Sequence, residues 1–417
     1  MINAIANAFR VPELRRRILF TLTIVGLYRI GAHIPVPGVD LGAVQDIIEG
    51  QAALGLLNLF SGGALENFAI FALGIMPYIT ASIIMQLLQG VIPKVEQWAK
   101  EGETGRRKIT QTTRYLTLGI ATVQAIAMIG LFQTTLAQAG VTLGLFLRFV
   151  IVLTLVAGTA LIMWMGELIT QRGIGNGMSL MIFASIVARF PIAIVQAVQL
   201  GDVAMTIALI LIFVFVVAAI VTINQGQRRI PVQYARRVVG RKVYGGSGTY
   251  IPLKLNAANV IPIIFASAVL FFPAQLAALT GVEWLQAAGN ALAAGWLYYA
   301  LFAGMIIFFT YFYTALVFNP IDLGDNLRKN GGFIPGVRPG KATITYLEKT
   351  MNRITLPGAV FLALVAIAPT ALFRATGVTV LEQFGGASIL IMVGVALETM
   401  TQLESQLKMR HYDGFFK

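Results

Sequence analysis

Few residues of this 417-residue chain have the type and spacing that catalysis requires. The segment GVRPGKA at Gly336–Ala342 has the glycines and lysine of a phosphate-binding loop. Only three residues separate its glycines, however, and Ala342 occupies the position of the magnesium-binding hydroxyl. GIGNG at Gly173–Gly177 is not preceded by a strand, as a dinucleotide-binding motif would be. The chain has no cysteine, no HExxH motif and only two histidines, His33 and His411. The sequence therefore predicts no catalytic residues, no metal site and no cofactor.

Two acidic residues, Glu167 and Glu398, fall inside apolar stretches. Carboxylates within a membrane commonly mark ion or proton pathways. Glu167 lies near the end of its stretch, and the simpler interpretation of Glu398 is a helix-end carboxylate paired with a basic loop residue. The chain thus lacks the cluster of midplane ionisable groups that an ion-coupled transporter usually needs, although this does not exclude one.

The composition is that of a membrane protein, with 57% hydrophobic residues, 12% charged residues and a mean hydropathy of +0.78. Soluble domains carry about 25% charged residues. Several apolar runs are long enough to cross about 30 Å of hydrocarbon as helices. Ten spans are predicted, at residues 18–34, 68–92, 115–138, 146–169, 178–199, 203–224, 256–279, 296–318, 354–373 and 384–403.

Positive charge lies almost entirely on one side of these spans. Of the 31 lysines and arginines, 27 fall before span one, after span ten, or between spans two and three, four and five, six and seven, and eight and nine. The positive-inside rule then predicts that both termini are cytoplasmic. The other four, Arg29, Arg148, Arg189 and Arg374, lie in or beside spans or on the far side.

The ten spans divide into halves of five, near residues 1–200 and 201–417. Because each half has an odd number of spans, the two halves must have opposite orientations, as in the inverted repeats of transporters. MPYITAS at Met76–Ser82 and IPIIFAS at Ile261–Ser267 share proline, isoleucine, alanine and serine in register. They lie on spans two and seven, which are equivalent in such a repeat, although chance similarity remains an alternative. Pro77 and Pro262 are expected to kink or loosen these helices.

Two basic segments, at about 224–255 and 319–353, are longer and more charged than orientation alone requires. The first has seven lysines and arginines and no acidic residue. Such segments predict docking to RNA phosphates, an acidic protein surface or anionic lipids. The residues alone leave open an ion-coupled secondary transporter with an inverted repeat, a channel driven by a bound partner, and a membrane-embedded scaffold.

Five long segments resemble the SecY family, the central subunit of the bacterial protein-conducting channel. They are YRIGAHIPVPGVD (Tyr28–Asp40), FSGGALENFAIFALGIMPYITASIIMQLL (Phe60–Leu88), RGIGNGMSLMIFASIVA (Arg172–Ala188), PLKLNAANVIPIIFASAVLFFP (Pro252–Pro273) and NPIDLGDNLRKNGGFIPGVRPGKATITYLEK (Asn319–Lys349). The resemblance implies an all-α membrane protein in which ten transmembrane helices, in two inverted pseudosymmetric halves of five, surround an hourglass pore.

The resemblance also implies a function and partners. A SecY-type channel translocates unfolded preproteins across the bacterial plasma membrane and releases signal and transmembrane segments laterally into it. The implied partners are the SecE and SecG subunits, the SecA motor ATPase, the ribosome with its rRNA, signal sequences and preproteins, and anionic lipids.

Four functional elements follow from the resemblance, residue by residue. A hydrophobic pore ring is implied at Ile79, Ile83, Ile182, Ile186, Ile264 and Ile391. A plug is implied within residues 58–67, at Asn58, Phe60, Ser61, Gly62, Gly63, Ala64 and Leu65. A lateral gate between spans two and seven is implied at Pro77, Thr80, Ser82, Gln124, Asn259, Pro262 and Ser267. Partner docking is implied at Arg236, Arg237, Arg241, Lys242, Arg328, Lys329, Arg338 and Lys341.

The plug depends most on the resemblance. Residues 58–67 read NLFSGGALEN, which by itself predicts a glycine-rich surface loop. With the resemblance, the same residues are expected to form a short, loosely held amphipathic segment that folds back to close the external funnel.

Overall fold

A computed structural model describes residues 9–37, 58, 60–138, 144–200, 203–234, 237–239, 242–244, 248–280, 295–376 and 385–413. The helices up to residue 225 are α1 Pro12–Gly31, α2 Met76–Val91, α3 Pro93–Lys100, α4 Glu103–Gln138, α5 Leu145–Arg172, α6 Gly177–Leu200 and α7 Val203–Gln225. The later helices are α8 Ile261–Thr280, α9 Trp296–Val317, α10 Pro320–Lys329, α11 Lys341–Thr376 and α12 Gly386–Asp413. Each of the ten predicted spans overlaps one of the long helices, whereas the short α3 and α10 lie between spans.

Apolar length alone identifies only part of this set. Among the described residues, four helical stretches are long and apolar enough to cross a membrane. They are Leu145–Arg172, Trp296–Lys329, Lys341–Leu372 and Gly386–Met409. The pair α2 and α3 would make a fifth, bent by 100°. Shorter apolar helices occur within α6, α7 and α8.

Spans two and seven begin later than predicted. Residues 61–75 and 255–260 form turns, so that α2 begins at Met76 and α8 at Ile261. Pro77 and Pro262 are each the second residue of a helix, where a missing backbone N–H removes no intrahelical hydrogen bond. The expectation that these prolines kink helix interiors is therefore wrong, because they lie where the helices begin.

The long helices form a closed circuit around a central apolar core. Helix α2 packs against α4 and α8, α4 against α5, and α5 against α6. Helix α6 packs against α12, and α12 in turn packs against α8. The circuit therefore has two seams between the halves, α2–α8 on one side and α6–α12 on the other.

The two basic segments fold together at one end of the helices. Strand β1 (Gln227–Tyr234) pairs antiparallel with β4 (Thr249–Lys254) and with β5 (Gly332–Phe333), while β2 (Arg237–Val239) and β3 (Lys242–Tyr244) pair with each other. Alternate residues of β1 are buried, as expected for a sheet with one covered face. Its buried side chains join an apolar cluster that includes Leu327 of α10 and Leu347 of α11. The described parts of the two segments in β1, β4, β5, α10 and the start of α11 are thus one folded unit.

Candidate channel site

The six isoleucines assigned to the pore ring come from four helices and lie in one central apolar cluster. They are Ile79 and Ile83 on α2, Ile182 and Ile186 on α6, Ile264 on α8 and Ile391 on α12. Residues four apart lie on one face of a helix, so α2 and α6 each direct a pair to the same side. None of the six is more than 8% exposed. The structure therefore brings these side chains into one core, and their action as a ring remains a prediction.

Residues 58–67 are called the plug segment below. Its described residues, 58 and 60–67, are packed into the protein instead of forming a surface loop. Phe60, Ala64 and Leu65 are buried and belong to the cluster that contains the six isoleucines. Ser61 is fully buried beside them. The segment lacks the loose attachment that was expected of it.

Hydrogen bonds within the plug segment give it a defined shape. The side chain of Asn58 accepts from the Glu66 amide at 3.0 Å and donates to the Glu66 carboxylate at 3.0 Å. The Ser61 hydroxyl donates to the Asn58 carbonyl at 3.1 Å and accepts from the Leu65 amide at 3.2 Å. Gly62 and Gly63 follow Ser61 with φ values of +68° and +88°, which side-chain-bearing residues rarely adopt. The glycines are therefore required by the turn.

Helices α1 and α6 hold the backbone of the plug segment. The Tyr28 hydroxyl donates to the Ser61 carbonyl at 3.1 Å and shares a 2.7 Å hydrogen bond with the Ser185 hydroxyl. The Arg29 guanidinium donates to the Gly62 carbonyl at 2.7 Å. A Cβ atom at Gly62 would lie 2.7 Å from the Arg29 side chain and 3.0 Å from the Ser185 Cα. The segment is consequently in close contact with both helices.

An ion pair completes these contacts. The Arg189 guanidinium of α6 binds the Glu66 carboxylate of the plug segment, with side-chain exposures of 19% and 35%. Arg189 and Ser185 are each three residues beyond a ring isoleucine, Ile186 and Ile182. One helix therefore carries both ring side chains and plug contacts.

The sequence-based assignments missed the residues that bind the plug segment. These are Tyr28, Arg29, Glu66, Ser185 and Arg189. The available signal was the charge distribution, because Arg29 and Arg189 are two of the four cations outside the segments predicted to be cytoplasmic. A cation in or beside a membrane span requires a partner, and here the partners are a plug carbonyl and a plug carboxylate.

The predicted lateral gate corresponds to a real helix contact, but its polar side chains do not bond as expected. The Thr80 and Ser267 hydroxyls donate to carbonyls four residues earlier in their own helices, at 3.0 and 2.8 Å. Ser82 accepts a 3.5 Å contact from Gln86 of the same helix. Within the described residues, the α2–α8 seam is therefore not joined by these three side chains.

The remaining gate candidates lie near the seam in different environments. Gln124 lies on α4, and that helix packs against α8. Its side chain is buried, at 4% exposure, and its Oε1 atom has no hydrogen-bond partner in the described part of the chain. Asn259 precedes α8 with φ +52°, and its carbonyl accepts from the Asn256 side chain at 3.0 Å. It therefore shapes the entry to α8.

Docking candidates are exposed wherever their side chains are described. They are Arg328 and Lys329 at the end of α10, Arg338 in the turn before α11, and Lys341 at the first residue of α11. Arg237 and Lys242 lie in the β2–β3 pair, whereas Arg236 and Arg241 fall outside the described residues. Arg229 on β1 stacks over Tyr250 with its guanidinium carbon 4.8 Å from the ring centre, which adds an exposed cationic surface near these residues.

The acidic residues inside apolar stretches do not form an ion site. Glu167 accepts two hydrogen bonds from Arg114, at 2.8 and 2.5 Å, and is thereby paired. Within the described residues, no three acidic, histidine or cysteine side chains are grouped so that they could bind a metal ion. The geometry therefore offers no support for an ion-coupled transporter.

The fold and the site together define a class, a multi-pass helical membrane protein in which a segment of its own chain packs into the central apolar core. A family model described as SecY matches residues 69–400. The chain is 48% identical to "Protein translocase subunit SecY" of Streptomyces scabiei over the full length of both chains. The chain belongs to the SecY family.

Solved structures agree on the fold. One, described as "The structure of a protein conducting channel", superposes with a TM-score of 0.64 at 19% identity, over 94% of this chain and 92% of that one. Another, "Sec61 in the Canine ribosome-channel complex from the endoplasmic reticulum", gives 0.57 at 17% identity with the same coverage.

Proposed function

We propose that the protein is a channel through which unfolded preproteins cross the bacterial plasma membrane, and from which signal and transmembrane segments pass laterally into lipid. The observation that carries the proposal is the plug segment, a piece of the chain's own backbone packed into the apolar core beside the ring isoleucines. A removable seal suits a pore that must admit a polypeptide yet exclude ions at rest. A small-solute transporter has no need of one.

The ring and the plug segment would exclude ions in different ways. Branched apolar side chains disfavour water and so oppose ion passage, yet they can yield around a passing chain. The plug segment fills the space on one side of them. If the N terminus is cytoplasmic, the end of α1 that carries Tyr28 and Arg29 faces outward, so the plug closes the ring from outside.

Lateral release would occur at the α2–α8 seam. Hydrogen bonds between membrane helices contribute about 0.6–2 kcal/mol each, and Thr80, Ser82 and Ser267 bond within their own helices. Each leucine of a signal helix gains about 0.3–0.6 kcal/mol in lipid. A signal with several leucines can therefore compete with the helix contacts that close the seam.

Energy and substrates would come from partners bound at the cytoplasmic unit of β1, β4, β5 and α10. Its exposed arginines and lysines suit the ribosome, whose phosphates are acidic, and an acidic face of the SecA motor. The Sec61 structure similar to this chain is described as part of a ribosome–channel complex. SecE and SecG are the proposed subunits, anionic lipids of the plasma membrane would surround them, and both termini would be cytoplasmic.

Reconstitution tests the function directly. The full chain with SecE in liposomes, supplied with SecA, ATP and a signal-bearing preprotein, is expected to give protease-protected preprotein that depends on ATP. Accumulation of a small solute driven by an ion gradient, without preprotein uptake, would overturn the proposal in favour of a transporter.

A further inference from the structure

We infer that the Arg189–Glu66 ion pair is a latch that couples release of the plug segment to movement of α6, and thereby sets how readily the closed channel opens. The inference rests on the proposed function and names residues that regulate it. The family resemblance placed Glu66 within the plug but assigned it no contact, and it assigned no role to Arg189.

The latch acts through α6 because that helix has two kinds of contact. It contributes ring residues Ile182 and Ile186 to the central cluster. One turn further on, Ser185 bonds Tyr28 beside the plug segment, and Arg189 binds Glu66. A displacement of α6 that widens the ring therefore moves Arg189 away from Glu66 and Ser185 away from Tyr28. Ring opening and a weaker hold on the plug segment are thereby coupled.

The ion pair differs in kind from the other plug contacts. Tyr28 and Arg29 bond backbone carbonyls, which a segment of almost any sequence would offer. The Arg189 contact instead requires a carboxylate at position 66, and that carboxylate is oriented by Asn58. It is therefore the contact most sensitive to side-chain identity.

Burial gives the pair its strength. The Arg189 side chain is 19% exposed, and its Nη1 atom is buried with no hydrogen-bond partner among the described residues. Without Glu66, this guanidinium would be largely desolvated and would lack its counter-charge. That loss strongly disfavours the closed state, in which the plug segment is seated. Loss of either partner should therefore shift the population from the closed towards the plug-released state.

A cysteine reporter can measure that shift because the chain has no cysteine of its own. Ala64 is fully buried in the plug segment, so Ala64→Cys should react slowly with a water-soluble maleimide while the plug is seated. The measurement uses the full chain with SecE in proteoliposomes, with reagent on both faces. In this background, Glu66→Gln and Arg189→Gln are each expected to raise the alkylation rate roughly tenfold, in keeping with a partly buried ion pair.

Three further variants separate pairing from general damage. Arg189→Lys keeps the charge and should be alkylated at a rate near that of the parent. The double variant with Glu66→Arg and Arg189→Glu, in which the two charges are exchanged, should again be alkylated slowly. Arg114→Gln breaks the ion pair with Glu167, which lies elsewhere, and should leave the rate unchanged. Signal-sequence stringency is the second readout, since the Gln variants should transport preproteins with weakened signals that the parent rejects.

The outcomes distinguish the latch from the proposed function. Parent-like alkylation in both Gln variants, with translocation intact, would overturn the latch. Fast alkylation that the charge exchange does not reverse would overturn it as well, because the charges would then not act as a pair. A parent protein that transports no preprotein while Arg189→Gln still unseats the plug would overturn the proposed function and leave the latch standing.

Discussion

Pro77 and Pro262 occupy the same place, the second residue of α2 and of α8, and these two helices pack against each other. Turns precede both helices, at residues 61–75 and 255–260. The first amides of a helix have no intrahelical acceptor, so a proline there starts the helix without breaking it. The matched motifs are thus matched helix beginnings on the two sides of one seam. This equivalence supports the predicted relation between the halves at 1–200 and 201–417.

Replacing either proline should therefore have little effect on stability. For Pro77→Ala and Pro262→Ala, we expect a loss of about 1 kcal/mol or less, from the greater freedom of the unfolded chain. Ala81→Pro is the matched contrast, because it puts proline inside α2, where the cost is about 3 kcal/mol or more. Thermal unfolding in detergent measures both. A large destabilisation by Pro77→Ala would show that the proline does more than begin the helix.

The sequence located the ten long helices that overlap the predicted spans because hydropathy is a local property. It failed at the start of α2 because residues such as Phe71, Ala72 and Leu73 are as apolar as a helix yet lie in buried turns. Hydropathy records burial and does not distinguish a turn from a helix. Only the family resemblance separated the plug segment from a surface loop.

The side-chain contacts of the plug segment could not be predicted from the sequence for a different reason. Glu66 and Arg189 are 123 positions apart, and nothing local to either residue indicates the other. The unusual location of Arg189 relative to the positive-inside pattern was visible, but its partner was not. Pairing of this kind is fixed by the packing of α6 against the plug segment, which no single-sequence pattern contains.

Cross-linking the seam should block the channel. Ser82→Cys, combined in turn with a cysteine at each of positions 264–267, samples one turn of the facing helix α8. At least one pair is expected to oxidise and to stop preprotein uptake, with recovery on reduction, because the seam can then no longer part. The parent chain has no cysteine, so it controls for the oxidant. Full transport by a completely cross-linked pair would remove the gate assignment.

The ring assignment can be tested on a single helix. Ile391 and Ile389 of α12 are both buried, 0% and 2% exposed, but only Ile391 is assigned to the ring. Either change to serine removes a similar apolar volume, which typically costs a few kcal/mol of stability. Only Ile391→Ser should add a polar group to the constriction and so admit water. We expect a higher resting ion conductance in planar bilayers for Ile391→Ser alone, and equal conductances would contradict the ring.

Arg338 offers a test of docking that leaves the fold intact. Its turn is held by backbone features, since Gly336 and Gly340 have φ values of +81° and +99°, and the Thr343 hydroxyl donates to the Arg338 carbonyl at 2.9 Å. The side chain itself is exposed, so Arg338→Glu should not disturb the turn. It should instead oppose an acidic partner surface and slow SecA-driven translocation roughly tenfold.

The control for Arg338→Glu is the same charge reversal at Arg353, an exposed residue on α11 away from the turn. Both variants should reach the membrane in parent amounts and show parent thermal midpoints, while only Arg338→Glu lowers the ATP-dependent rate strongly. Raising the SecA concentration should recover part of that rate, because the loss lies in association. If Arg338→Glu were absent from the membrane, Arg338 would have a structural role. If both variants translocated equally slowly, net charge alone would explain the loss of rate, because a specific contact at the turn requires the two positions to differ.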